Sequence, residues 1–169
     1  NKKDFGNLLE VYLDAVFFSR LDKLDFCQEG HRLEFEEANN TNSNLVFKGV
    51  VYNEMKGAMS SITNTLWQTL CHHLFPSNTY HFNSGGDPSD IPDLTYEQLL
   101  DFYRIHYHPS NSILMTYGNI PAIEHQSVFE EKVLSRFEKL NTRIEVKAES
   151  RFKTPKRANE FYAHDSNES

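Results

Sequence analysis

One acidic side chain stands out by its spacing. Glu54 lies in "GVVYNEMKGAMSS", Gly49 to Ser61. At about 100° per residue on a helix, Val51, Met55, Ala58 and Ile62 fall in one apolar stripe. Glu54 sits on the shoulder of that stripe, on the row of Val50 and Ala58. Asn53, Lys56 and Ser60 take the opposite side. A carboxylate set against apolar neighbours loses hydration unless a cation or a hydrogen-bond donor replaces the water. Two chemistries fit this placement. One is a metal ligand or catalytic acid; the other is a partly exposed glutamate paired with a lysine or arginine.

The eight histidines prompt a search for metal spacing. HExxH, which puts two imidazoles one turn apart on a helix, does not occur, and neither does its inverse HxxEH. "HRLEF" comes nearest, but Phe35 stands where the second histidine is needed, and the segment alternates as a strand. His72 and His73 are adjacent and point to different sides of a helix. His106 and His108 flank Tyr107 at a helix end, where histidines cap carbonyls or pack on rings. No GxSxG, P-loop or GxGxxG is present. Cys71 is too close in sequence to His72 and His73 for a catalytic pair. "NSGGDPSDIPD", Asn83 to Asp93, is either a nest of backbone N–H groups for an anion or carbonyl, or a tight loop in which Asp87 caps the next turn. Trp67 and the Phe and Tyr residues read as core.

The elements that must position these groups follow from pattern and composition. The 169 residues suffice for one domain with a core. Apolar residues make up 38% and aromatics 13%, which excludes a disordered chain. The net charge of -7 disfavours nucleic acid and favours cations or basic peptides. Cys27 and Cys71 read as reduced apolar residues. No apolar run reaches the roughly 18 residues of a membrane helix, so no membrane partner is expected. No leader peptide is visible, and Asn1 is not a natural start, so the chain is expected to be part of something longer. The expected localisation is soluble, and cytoplasmic if the source is bacterial.

Helices are predicted over residues 7–18, from Val50 past Ser60, with "LWQTLCHHLF" continuing it as a second helix up to Pro76, from Thr95, and from Pro121 to about Leu140. Thr95 and Gln98 form a capping-box pair, and Leu94 and Leu99 fit a hydrophobic staple. Strands are predicted at "HRLEFEE", at Ser112–Gly118 and at "RIEVKAES". The expected fold class is α+β, an antiparallel-rich sheet with helices packed on one face. The expected organisation is a single domain over residues 1–150 and an extended tail or linker over 151–169.

"GVVYNEMKGAMSS" and "LFPSNTYHFNSGGDPSDIPDLTYEQLLDFYRIHYHPSNSILMTYGN" closely resemble the presequence protease branch of the pitrilysin/insulinase metallopeptidases, as do "LLEVYLDAVFFSRLD" and "FCQEGHRLEFE". The resemblance covers residues 5 to about 140, and its wording leans toward a bacterial member. It implies a half-module of that superfamily and a zinc endopeptidase acting on unfolded peptides. HxxEH supplies two histidine ligands and the general base, and a glutamate in an NE segment supplies the third ligand. That glutamate corresponds to Glu54. Zinc held this way keeps a fourth position for water, whose pKa falls to about 7.

In this family HxxEH lies roughly seventy to a hundred residues before the third ligand. Here 53 residues precede Glu54 and none forms that motif. The resemblance therefore implies a piece of the N-terminal catalytic portion, truncated at its N-terminus. Zn2+ is expected in the parent protein and not in this chain alone, which is expected to be inactive. The further acid that family members often carry about two turns earlier is replaced here by Phe47 and Lys48. Expected partners are peptide substrates and the remaining modules of the same polypeptide. The alternatives are a non-catalytic scaffold half of a two-subunit peptidase and a peptide-binding module without chemistry.

Overall fold

The computed structural model describes residues 1–141 and 143–162. By internal packing the chain forms two compact units. One joins Asn1–Asp22 to Thr95–Glu145; the other joins Lys23–Leu94 to the described residues 146–162. The single domain expected over residues 1–150 is a reading of pattern; the structure describes these two units.

The first unit is helical. α1 runs Lys2–Phe17, α5 Tyr96–His106 and α6 Ala122–Lys132. Asn1 caps α1, its side-chain oxygen accepting from the Asp4 N–H at 3.0 Å. The apolar spacing of α1 then does what it predicts: Leu13 and Phe17 are buried with Phe129 and Val133, and Leu9 and Val16 pack beside them. α6 ends earlier than its pattern suggests. A 3-10 turn at Leu134–Arg136 brings Phe137 back, where its ring meets Phe17 at 6.3 Å and Phe18 at 5.5 Å.

α5 is positioned at both ends by polar chemistry. The capping box forms as predicted: the Gln98 N–H donates to Thr95 Oγ1 at 3.2 Å, and the Thr95 N–H donates to Gln98 Oε1 at 2.7 Å. Tyr103 Oη donates to the Val16 carbonyl at 2.7 Å, and Tyr96 Oη donates to the Leu21 carbonyl at 2.7 Å. The first of these satisfies a carbonyl that the end of α1 leaves without an intrahelical partner.

The second unit starts with the short helix α2, Lys23–Asp25, and a wide π-type turn, Phe26–Gly30. β1 (Arg32–Phe35) and β2 (Leu45–Lys48) pair antiparallel in the register Arg32↔Lys48, Leu33↔Phe47, Glu34↔Val46 and Phe35↔Leu45. That register puts Leu33, Phe35, Leu45 and Phe47 on one face. Then come α3, Val50–Ala58, and α4, Ile62–Leu74.

The pattern reads as helical through Ser60, and the break at Met59–Ser61 has a polar cause. Asn64 Nδ2 donates to the Ala58 carbonyl at 2.9 Å, Thr65 Oγ1 to Met59 at 3.1 Å and Ser60 Oγ to Gly57 at 2.6 Å. Side chains thus take the carbonyls that a continuing helix would have used.

Two predicted strands are absent. Residues 112–117 and 143–150 are irregular. Alternation says which face a segment would show, but a strand also needs a ladder partner. Among the described residues neither has one. Around the second segment, the Leu140 N–H donates to Ser110 Oγ at 3.0 Å and the Ile144 N–H to Asn111 Oδ1 at 3.2 Å. The described residues are therefore mostly helical with a two-stranded sheet, and the larger sheet of the α+β expectation is not among them.

Candidate functional site

The helix that carries Glu54 is anchored by a glycine. Gly49 is buried at the start of α3, and a Cβ there would lie 2.1 Å from the Gly30 carbonyl oxygen. Two backbones meet at this point and leave no room for any side chain. The Asn53 N–H donates to the Gly49 carbonyl at 3.0 Å, closing the first turn. On the far side Met55 lies over Gly85, where an added Cβ would come within 2.2 Å of its sulfur. α3 is thus held between the π-type turn and the glycine loop.

Glu54 itself is exposed, and among the described residues it has no hydrogen-bond or ion-pair partner. The expectation of a carboxylate held inward against apolar surface is not met. The cause lies in the helix as a whole: α3 buries none of its residues, and Val50 and Val51 stay 44% and 37% accessible. The apolar stripe is real in sequence but has no core beneath it here. Lys48 does not answer Glu54 either, since its ammonium donates to the carbonyls of Phe35 at 3.0 Å and Glu36 at 3.3 Å.

Among the described residues the histidines contact backbone groups, Glu160 or aromatic rings. His31 Nε2 donates to the Leu94 carbonyl at 2.7 Å, and its ring meets Phe26 edge-on at 5.4 Å. His106 stacks on Phe102 at 4.2 Å. His108 Nδ1 accepts from the Ser110 N–H at 3.1 Å, capping a 3-10 turn. His125 is buried between Phe5 and Phe129. The rings of His72 and His81 lie 3.9 Å apart, tilted at 36°, and His81 Nδ1 donates to the His72 carbonyl at 3.1 Å. Among the described residues no three of His, Cys, Asp and Glu converge where they could hold a metal ion. The donors among the described residues therefore do not by themselves fit the zinc that the resemblance implies.

The glycine loop resolves the choice between nest and turn. The Gly85 N–H donates to Asn83 Oδ1 at 3.2 Å and the Gly86 N–H to the Asn83 carbonyl at 2.9 Å, so neither is left for an anion. Asp87 accepts from the Ser89 N–H at 2.8 Å and from its hydroxyl. Gly86 takes a φ of +94°, and the loop is pinned by buried Ile91.

One polar constellation escapes sequence spacing. The Glu149 carboxylate accepts from the Ser77 N–H and from its hydroxyl, each at 2.8 Å. The Ser77 N–H is the main reason its pKa lies below the usual carboxylate value; the hydroxyl lowers it further, and His81 adds a smaller pull. Glu160 accepts from His73 Nε2 at 2.9 Å. Partners more than seventy residues apart leave no local signal.

Residues 93–168 match the family described as "Peptidase M16 inactive domain". The chain is 50% identical over 156 residues to a protein named "Presequence protease, mitochondrial" from Xenopus tropicalis, covering 92% of this chain and 15% of that one. A protein of the same name from Schizosaccharomyces pombe is 49% identical over 131 residues, 78% of this chain and 13% of that one. "Protein HypA" of Clostridium perfringens is 40% identical over 158 residues, covering 92% and 16%. The chain spans about 15% of the length of the relatives it matches. The leaning toward a bacterial, cytoplasmic member finds no support, because the eukaryotic proteins are the more similar and their names say mitochondrial. Together these matches support the pitrilysin/insulinase superfamily for this chain, with the inactive-domain pattern of the M16 peptidases beginning at residue 93.

Proposed function

We propose that this chain is a segment of a zinc-dependent endopeptidase of the presequence protease type, and that Glu54 is the metal-ligating carboxylate it contributes. The observation that carries this reading is the state of Glu54. It projects from an anchored helix with no competing partner among the described residues, inside the "YNEMKG" stretch that resembles the family's third-ligand segment. A single carboxylate does not hold Zn2+, so the chain supplies one ligand and no hydrolytic step is assigned to it. Substrates are unfolded peptides, and the location follows the relatives' names: mitochondrial.

Residues 93–168 have a different role in this proposal. Their match is to an inactive domain, which favours the scaffold alternative for that half. It would support the site without touching the reacting atoms.

The test uses the longer polypeptide that contains this chain. Glu54→Gln keeps the size and removes the charge. The expected outcome is loss of retained zinc by elemental analysis and loss of peptide cleavage, with an unchanged circular dichroism spectrum. Cleavage near the unsubstituted rate would remove Glu54 from the site.

A further inference from the structure

α3 leaves the hairpin with a single residue between strand and helix. β2 ends at Lys48, Gly49 follows, and the helix begins at Val50. Lys48 pairs with Arg32 in the last rung of the ladder, so Gly49 meets the chain at Gly30 and His31. A Cβ on Gly49 would lie 2.1 Å from the Gly30 carbonyl oxygen, 2.7 Å from its carbon and 2.9 Å from His31 Cα. All three are backbone atoms, and the chain they belong to is tied down. His31 Nε2 donates to the Leu94 carbonyl at 2.7 Å, and Arg32 Nη1 donates to the Cys27 carbonyl at 3.3 Å.

Further along, α3 rests on sulfur. Met55 Sδ lies 2.2 Å from where a Gly85 Cβ would stand, and Met59 Sδ accepts from Asn83 Nδ2 at 3.5 Å. A thioether chain has three rotatable bonds and gives way where backbone does not. Glu54 falls between the rigid contact and the yielding ones, about 7.5 Å along the axis from Gly49. With no linker before the helix, a shift at Gly49 is carried directly to Glu54.

We propose that Gly49 is a positioning residue for Glu54: its backbone contact with Gly30 fixes where the carboxylate stands, and the sulfur contacts with the glycine loop do not. This rests on the reading of Glu54 as a metal ligand. A methyl at Gly49 reaches an ordinary contact distance only if α3 moves by about 1 Å. Ligand distances at a metal tolerate about 0.2 Å. A methyl at Gly85 is instead absorbed by the end of Met55.

The test measures the zinc affinity of the longer polypeptide that contains this chain, by competition with a chromophoric chelator, beside its melting temperature. Gly49→Ala should raise the zinc dissociation constant about tenfold or more. Gly85→Ala should leave it near the unsubstituted value. Phe129→Ala is the control for stability: it should lower the melting temperature further than Gly49→Ala and leave zinc affinity unchanged. A merely structural role for Gly49 would rank zinc loss by stability loss, and that ranking would overturn the proposal, as would unchanged affinity in Gly49→Ala. Glu54→Gln separates the two ideas. If it keeps zinc, the reading of Glu54 falls and the proposal with it; if it loses zinc while Gly49→Ala keeps it, only the positioning role falls. Should circular dichroism show Gly49→Ala unfolded, Lys48→Met decides. It removes the ammonium that ties the end of β2 to the Phe35 and Glu36 carbonyls and adds no bulk. Zinc should then bind more weakly, and unchanged affinity would overturn the proposal.

Discussion

The two units solve the same problem in different ways. The first, built on α1, α5 and α6, buries side chains: Leu13, Phe17, Phe129 and Val133 form a shared cluster, and aromatic rings close around it. The second buries Cys71, Ile91 and Gly49, and its helices keep their apolar faces accessible. It is held instead by specific contacts: the Gly30–Gly49 backbone approach, side-chain caps on α3, and Glu149 on Ser77. Burial is non-directional and scales with area, whereas these contacts depend on geometry and leave the surface unspent. The unit with the poorer core is also the one that carries Glu54.

This contrast can be broken by substitution. Phe129→Ala opens a cavity in the first unit and should cost about 3–5 kcal/mol by chemical denaturation. A cost under about 1 kcal/mol would show that the cluster does not hold that unit. Gly49→Ala should cost about 1–3 kcal/mol, because a methyl there meets backbone that cannot swing aside. Gly85→Ala makes a sharper comparison: its methyl meets the flexible end of Met55, so a smaller fall in melting temperature is expected than for Gly49→Ala. Equal falls would mean that backbone approach is not what anchors α3. Thr95→Ala removes the α5 cap and should cost about 1 kcal/mol.

The smallest effect concerns pH. The folded-state pKa of Glu149 is lowered, so its contribution to stability is present above the ordinary carboxylate pKa. It is lost as pH falls through the lowered value. Ser77→Ala keeps the backbone donor and deletes the hydroxyl, so the Glu149 titration in carboxyl NMR should move only part of the way up. No movement would show that the hydroxyl does not contribute.

Local rules were legible wherever the physics is local. The Thr95–Gln98 capping box, the first helix and the β1 segment appear where the residues predict them. β2 was not readable, because Leu45, Val46 and Phe47 are apolar in a row and show no alternation. Ser112–Gly118 misled for the opposite reason. Its composition suits a strand, yet Met115 is 88% and Tyr117 100% accessible with no ladder partner among the described residues. Glu54 shows the same limit: its position on the helix could be counted, but not whether that flank would be covered.

The amino-acid sequence by itself determined periodicity and caps and carries the likeness to the presequence proteases, since each depends on residues close along the chain or on their order. Only the tertiary structure decided that Gly49 must be glycine and that Glu149 reaches Ser77. Those facts depend on which distant backbones approach one another, and residue spacing does not encode that distance.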